Sequence, residues 1–339
     1  MIAKEILKDL ISFNTVNDKE NTSIINYIEN ILKNKGFKLE NKSKCLVMSI
    51  KDGYKLGFLG HTDTVIADSN WKTNPYEMIE ENGKLYGLGV CDMKGGLAGI
   101  LQAVTEIDWE KVNYGMKLYF TYDEEIGFGG IKEIVDKNEK FPKYMIIGEP
   151  SNNIVMNASK GLLEIKLIFN GVSAHSSMPN KGENAIEKTI EFLNELKIFY
   201  NKLKKDTNND FEINYTTMNT AKISGGTSIN IVPNYCEALI DFRVIKNEHI
   251  NLILDMINRL TLKYDATYEV INNITSFSNK NEKICSTNFI TEASFIDAEN
   301  KYILGVGPVN PHKANEYITE ESLEKLVDQY KEMIYKLCN

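Results

Sequence analysis

Four short runs of almost unbroken apolar residues set the first limit on this chain. They are YKLGFLG (54–60), KLYFTY (117–122), YMIIGE (144–149) and YILGVG (302–307). A strand with one wet face alternates apolar and polar residues, whereas a run apolar throughout must be covered on both faces. Helical patterns lie between these runs. Residues 3–13 and 21–34 show apolar spacing of three and four, Gly36 follows as a helix C-cap would, and GGLAGILQAVTEI (95–107) reads as a buried helix. With a further strand at CLVMSI (45–50), the alternation predicts an α/β domain built on a mostly parallel sheet.

The middle of the chain follows another pattern. GLLEIKLIFNG (161–171) alternates as a half-exposed strand does, and a helix follows over 183–203. TTMNTAKISGG (216–226) and NYCEALIDFRV (234–244) read as an antiparallel pair, HINLILDMINRL (249–260) as a helix and ATYEVI (266–271) as a last strand. The order β-α-β-β-α-β is that of a ferredoxin-like α+β sandwich. The expected organisation is therefore a catalytic domain formed by 1–159 and 273–339, with a second domain, 160–272, inserted into it. A length of 339 residues suits two cores. The lysine- and asparagine-rich stretch at 201–210 reads as a solvated loop, and His249, opening its helix, is expected at the surface.

Composition excludes several classes of function. A hydrophobic fraction of 42% and a charged fraction of 25% are those of a soluble globular protein. A net charge of −8 without an arginine-rich stripe gives no reason to expect nucleic acid. Cys45, Cys91, Cys236, Cys285 and Cys338 are scattered, with no C-x-x-C pair, which predicts a reducing, cytoplasmic setting. MIAKEILKDLISF reads as an amphipathic helix with acids in it rather than a signal peptide, and no apolar run approaches the ~20 residues of a membrane span.

The chemistry lies at the ends of the apolar runs. GFLGHTDTV (57–65) stops on His61 with Asp63 beside it, Asp123-Glu124-Glu125 follows the second run, Glu149 closes the third, and His312 follows YILGVG. In open α/β sheets, ligands bind beyond the carboxyl ends of the strands, so parallel neighbours would bring these groups to one rim. Asp92, in GLGVCDMKGG just before the buried helix, can reach the same place. That glycine-rich stretch lacks the G-K-[ST] ending of a phosphate loop. Each of these residues alone has an ordinary explanation as a strand end or a solvated turn. Together, His and carboxylates without thiolates suit zinc, with cobalt or manganese also possible. Their number suits two ions about 3.5–4 Å apart rather than one. A ligating imidazole needs an acceptor on its other nitrogen, and Asp63 can serve His61 in that way.

GHTDTV, GLGVCDMKGGLAG, DEEIG, IIGEPS, GVSAHSSMP and PHKANEY occur in an order that resembles the co-catalytic zinc deacylases and exopeptidases. That family includes acetylornithine deacetylase, succinyl-diaminopimelate desuccinylase, aminoacylase and carboxypeptidase G. The resemblance implies that His61, Asp92 and Glu149 hold one ion, that Asp92 bridges, and that Glu125 and His312 complete the other. It implies Glu124 as general base, Asp63 as the partner of the first histidine, and a cis peptide between Asp92 and Met93. Arg243, in DFRV, matches the arginine that takes the substrate's α-carboxylate, and Asn230, in GGTSINIVP, an asparagine lining the cleft. His175 matches a histidine that reaches the partner subunit's metal site and stabilises the oxyanion, which implies a homodimer through the inserted domain.

TEASF (291–295) ahead of LGVGPVNPHKANEY is similar to acetylornithine deacetylase, where desuccinylases show an aspartate nearby. The expected activity is hydrolysis of an N-acyl amino acid, N-acetylornithine first, by two zinc ions for which cobalt can substitute. A desuccinylase or a dipeptidase on the same metal core is the alternative. A non-catalytic metal-binding protein would keep the ligands and lose the base, and Glu124 is present.

Overall fold

The computed structural model describes residues 2–18, 21–279 and 284–339. In chain order the principal strands are β1 (Lys38–Lys42), β2 (Leu46–Ile50), β3 (Leu56–His61), β4 (Met116–Thr121), β5 (Tyr144–Ile147), β6 (Gly161–Asn170), β7 (Thr217–Gly225), β8 (Tyr235–Val244), β9 (Ala266–Ile274) and β10 (Asn300–Ile303). The helices are α1 (Ala3–Ser12), α2 (Asn21–Lys33), α3 (Gly95–Glu106), α4 (Gly129–Asp136), α5 (Ala185–Leu203), α6 (Glu248–Tyr264) and α7 (Glu320–Leu337). They fall into two compact units. One holds the chain up to Asn157, Asn279 and Thr291–Asn339; the other holds Ala158–Ser278 and Ile284–Ile290.

The first unit is built on a six-stranded sheet of order β1-β2-β4-β3-β5-β10. Strands β4, β3, β5 and β10 are parallel neighbours, and β2 and β1 add an antiparallel edge. Every residue of β3 and of β4 is buried, as apolar runs without alternation require. Helix α1 turns Ile6, Leu7, Leu10 and Ile11 inward, and α7 turns Leu323, Leu326, Val327, Tyr330 and Ile334 inward. Both faces join one core with α3 and the sheet. Helix α3 is buried from Gly95 to Leu101, so it carries no polar stripe there. Phe58 on β3 meets Tyr330 edge to face with ring centroids 4.9 Å apart, and the Tyr330 hydroxyl donates to the Leu304 carbonyl at 2.5 Å.

The second unit is a four-stranded antiparallel sheet of order β7-β8-β6-β9. Its chain order is the β-α-β-β-α-β of a ferredoxin-like sandwich. Strand β6 buries Leu163, Ile165, Leu167 and Phe169 and leaves the residues between them less buried, the period of two that a half-covered sheet imposes. Phe192 and Leu196 of α5 and Ile253 and Ile257 of α6 fill the same core. Asn184 caps α5 by accepting from the Ile186 and Glu187 amides. Beside this sheet, Phe277–Ser278 and Ser286–Thr287 flank Ala158–Ser159 in a small three-stranded sheet.

His249 departs from the surface position its helix-opening place suggested. It is 1% exposed, because its Nδ1 pairs with the buried Thr216 hydroxyl at 2.7 Å and its Nε2 with Asp206 at 3.1 Å. The supposedly solvated stretch at 201–210 thus begins with the end of α5 and supplies Asp206 as a partner for a buried side chain.

One glycine fixes how the site is assembled. A methyl added at Gly96, in the first turn of α3, would stand 2.1 Å from the Gly148 carbonyl oxygen, just past β5. Backbone pressed on backbone cannot give way as a side chain can. At Gly99 on the same helix, the nearest atom would be Leu326 Cδ2 at 3.0 Å, which can move. Gly96→Ala is therefore expected to cost about 2–3 kcal/mol. Gly99→Ala should stay within about 1 kcal/mol of wild type, helped by alanine's helix propensity. Urea unfolding of the two variants checks this; equal losses would show that the close approach is not what demands glycine.

Candidate active site

The parallel order β4-β3-β5-β10 sends four strand ends to one rim. His61 ends β3 opposite Thr121 of β4, and β4 runs on into Asp123, Glu124 and Glu125. Strand β5 runs on through Gly148 to Glu149, and β10 leads to the loop of His312. Asp92 arrives from the turn before α3, through a cis peptide to Met93. All seven residues expected from the sequence for the catalytic domain — His61, Asp63, Asp92, Glu124, Glu125, Glu149 and His312 — lie in this first unit.

Asp92 is at their centre. Its Oδ1 lies 3.2 Å from His61 Nε2 and its Oδ2 lies 3.4 Å from His312 Nε2. Glu149 Oε1 is 3.6 Å from the same His61 nitrogen, and Glu125 Oε2 is 3.0 Å from the same His312 nitrogen. One carboxylate thus faces both histidines, and each histidine has one further carboxylate of its own. Ligating atoms of His61, Asp92 and Glu125 all lie within 4.8 Å of one another, as do those of His61, Glu124 and Glu149. Glu124, expected as a base, therefore stands within reach of the ligand set.

The other nitrogen of His61 is tied to Asp63. Nδ1 donates to the Asp63 carbonyl at 3.1 Å, with the Asp63 carboxylate at 3.4 Å. That carboxylate does more than the sequence suggested. Its Oδ1 accepts from the Glu124 amide and its Oδ2 from the Glu125 amide, each at 3.2 Å. Asp63 thereby fixes the loop of both glutamates relative to His61. The loop is tightened further by Asp123, at φ 59°, whose carboxylate accepts from the Gly129 amide at 3.2 Å. Phe128, at φ 58°, packs on Phe295 with ring centroids 5.0 Å apart.

Electrostatics set the protonation states. Burial works against a charged His61, but its bonds to Asp63 and Asp92 and the charge of Glu149 push it well above the usual imidazole range. His312, bonded to Asp92 and Glu125, is pushed up to about 10. Burial alone would raise Asp92, yet His312 and His61 hold it below the usual carboxylate range. Burial, then the negative charges nearby, push Glu124 and Glu149 well above that range. The site is a nest of acids with too few bases of its own.

The donor set fits divalent cations. Oε1 of Glu125 and Oε1 of Glu149 are buried without a hydrogen-bond partner, which a stable interior avoids unless something else meets them. Imidazole nitrogens and carboxylate oxygens are ligands for zinc, cobalt and manganese.

Two carboxylates were not singled out from the sequence. Glu292, in TEASF, is fully buried; Oε2 accepts from the Thr121 hydroxyl at 2.9 Å and Oε1 has no partner. Glu316, in PHKANEY, is 1% exposed and takes the amides of Gly89 at 3.2 Å, Cys91 at 2.6 Å and Asp92 at 3.1 Å.

The remaining three expected residues lie in the second unit. His175 is exposed, and its Nδ1 pairs with the Ser177 hydroxyl at 2.7 Å. Asn230 is its neighbour: the Ser176 amide donates to the Asn230 carbonyl at 3.0 Å, and His175 forms a β-bridge with Ile231. Arg243 stands apart from them on β8, half-buried, with Nε and Nη2 on the Asp241 carboxylate at 3.0–3.2 Å.

Comparison with known proteins gives the chain relatives. Residues 57–336 match the model of peptidase family M20/M25/M40. The chain is similar to an acetylornithine deacetylase of Proteus mirabilis, at 31% identity over 95% of this chain and 91% of that one. An acetylornithine deacetylase of Aliivibrio fischeri is 28% identical over 99% and 98%. Among solved structures, an aminopeptidase from Bacillus cereus superposes with a TM-score of 0.83 at 18% identity, covering 99% of this chain and 98% of that one, a likeness of fold.

Glu292 yields a test of the electrostatics. Burial pushes its carboxyl up to about 8, against 4.5 for a free glutamate. The folded state therefore holds a proton that the unfolded state gives up, and the resulting stability is present below pH 4.5 and lost as pH rises towards 8. Glu292→Gln should flatten the fall in stability between pH 5 and 8 by at most about 1.4 kcal/mol per pH unit. Urea unfolding in the presence of chelator measures it; an unchanged slope would mean that Glu292 is ionised in the fold.

Proposed function

Because the chain belongs to peptidase family M20/M25/M40, and is a metal-dependent hydrolase by that membership, we propose that it hydrolyses the amide bond of an N-acyl amino acid, N-acetylornithine foremost. The observation that carries this reading is Asp92 facing both histidines, with one further carboxylate beside each. His61 and Glu149 would hold one divalent ion, Glu125 and His312 a second, and Asp92 both. Zinc is the proposed metal, with cobalt able to replace it. When bound, the ions supply Lewis acidity toward the acyl carbonyl and bring the pKa of water towards neutrality.

The chain's own residues do the rest. Glu124 takes the proton of the attacking water and delivers it to the departing amine. Asp63 fixes the His61 ring through Nδ1, so that Nε2 is the nitrogen left to face Asp92. Arg243 would take the α-carboxylate of the substrate, with Asn230 lining the cleft. His175, its Nδ1 engaged by Ser177, would offer Nε2 to the oxyanion.

In the same reading the inserted domain, 160–272, pairs two copies of the chain, and each His175 serves the partner's site. The edges of its four-stranded sheet, β7 and β9, are the surfaces that could join. A cytoplasmic setting is proposed as well, supported by five scattered cysteines with no C-x-x-C pair. No helix among the described residues is long and apolar enough to cross a membrane. The substrate choice is supported by relatives at about 30% identity that carry the name acetylornithine deacetylase.

Two measurements test this reading. The ion-free protein should take up two divalent ions per chain, and Glu124→Gln should still take up both while kcat falls by several orders of magnitude. Near-normal turnover in that variant would remove Glu124 from the base's role. Side-by-side assays with zinc and with cobalt should give N-acetylornithine a better kcat/KM than N-succinyl-diaminopimelate or dipeptides. The reverse order would assign the chain to a desuccinylase or dipeptidase activity on the same core.

A further inference from the structure

Glu316 occupies a place that neither a ligand nor a base could. Both its oxygens are taken by backbone: Oε2 accepts from the Gly89 amide, and Oε1 from the Cys91 and Asp92 amides. Three converging N–H donors ask for a carboxylate. An amide in its place would offer one oxygen and turn its own N–H₂ towards backbone N–H groups.

The surroundings show what this contact joins. The strand Tyr317–Thr319 pairs antiparallel with Lys84–Tyr86, and the Gly87 amide extends the pairing by donating to the Glu316 carbonyl at 3.3 Å. At the other end, Asn310 closes the loop that carries His312: its amide donates to the Tyr317 carbonyl at 2.7 Å, and its oxygen accepts from the Tyr317 amide at 3.0 Å. The segment 310–319 is thus pinned along the segment 84–92. His312 reaches Asp92 from the front while Glu316, four residues on, grips the turn of Asp92 from behind.

We propose that Glu316 is a positioning residue that holds the Gly89–Asp92 turn so that Asp92 offers one oxygen to each of two bound cations. This rests on the two-ion reading given above. Without Glu316 the turn would lose three of its anchors at once, Asp92 would no longer stand between the two histidines, and both ions would be held less well. The bond geometry of the turn, and not the fold at large, is what depends on Glu316.

The test uses the full-length protein, stripped by chelator and retitrated with cobalt(II), whose visible absorption reports ligand geometry. Glu316→Gln should weaken cobalt binding at least tenfold and alter the spectrum of the bound ions. In the ion-free variant, the amides within 87–96 should exchange with deuterium at least tenfold faster, while β6–β9 exchange as in wild type. At saturating metal, kcat should fall more than KM rises. Glu316→Asp keeps the charge one methylene shorter and should give a smaller loss of the same kind; it serves the test if the glutamine variant does not fold. If the folded variants bind two cobalt ions with wild-type affinity and spectrum, Glu316 is only structural and the proposal is overturned, even if they melt earlier. If wild type itself binds no cobalt, the two-ion reading fails first, which is a separate result.

Discussion

Burying carboxylates beside one another is the constraint on which the rest of the first unit depends. Like charges a few ångströms apart in a poorly polarisable surrounding repel strongly, and each also loses its hydration. Asp63, Asp92, Glu124, Glu125 and Glu149 share a rim with two histidines. The chain relieves the excess in three ways. Histidines neutralise Asp92, which they hold ionised. Burial pushes Glu124, Glu149, Glu292 and Glu316 towards holding a proton. Backbone amides meet the carboxyl oxygens of Asp63 and Glu316. What these leave unmet, the orphaned oxygens of Glu125 and Glu149, is the demand a divalent cation would satisfy.

Such a cluster holds its shape only if each acid is delivered by rigid backbone. Strands β3, β4 and β5 do this for His61, Glu124, Glu125 and Glu149, which end or closely follow them, and Asp63 ties down the loop of the two glutamates. Asp92 and His312 come from loops, and there the chain adds separate fastenings. Gly96 lets α3 touch the backbone beside Glu149, Glu316 grips the turn of Asp92, and Asn310 closes the loop of His312. Of these, the Glu316 contacts join segments more than 200 residues apart in sequence. A break in any of them would misplace a ligand without unfolding the sheet.

The sheet could be read from the sequence because burial on both faces leaves a direct mark, an apolar run with no alternation. The second unit could be read for the opposite reason, since β6 alternates. The convergence of His61, Asp92, Glu149, Glu125 and His312 was legible once strand ends were taken as neighbours. Contacts made by side chains onto distant backbone were not legible. Nothing in the letters of PHKANEY says that its glutamate meets the amides of Gly89, Cys91 and Asp92, because such a contact has no period and no fixed spacing. His249 was misjudged for the same reason: its helix position is ordinary, and its burial comes from Thr216 and Asp206, which other elements bring to it.

Under the proposed activity, Arg243 would be the second unit's contribution to substrate binding, and the choice of residue there matters. The chain contains 39 lysines and arginines, of which only Arg243 and Arg259 are arginine. Where a charge alone suffices, this sequence uses lysine. On β8, two residues from Asp241 and so on the same face, a lysine would make a single flexible contact. The guanidinium instead lays its Nε and Nη2 edge on the Asp241 carboxylate. That edge is spent on orientation, but a planar fork has more than one edge. The Nη1 side keeps two N–H donors in a direction that Asp241 has already fixed, which is the condition for binding a second carboxylate in one geometry. Asp241 also removes net charge, so the fork would select an incoming carboxylate by shape more than by attraction. An arginine held in this way is suited to recognising the carboxylate common to all N-acyl amino acids, while leaving the choice among their side chains to other residues.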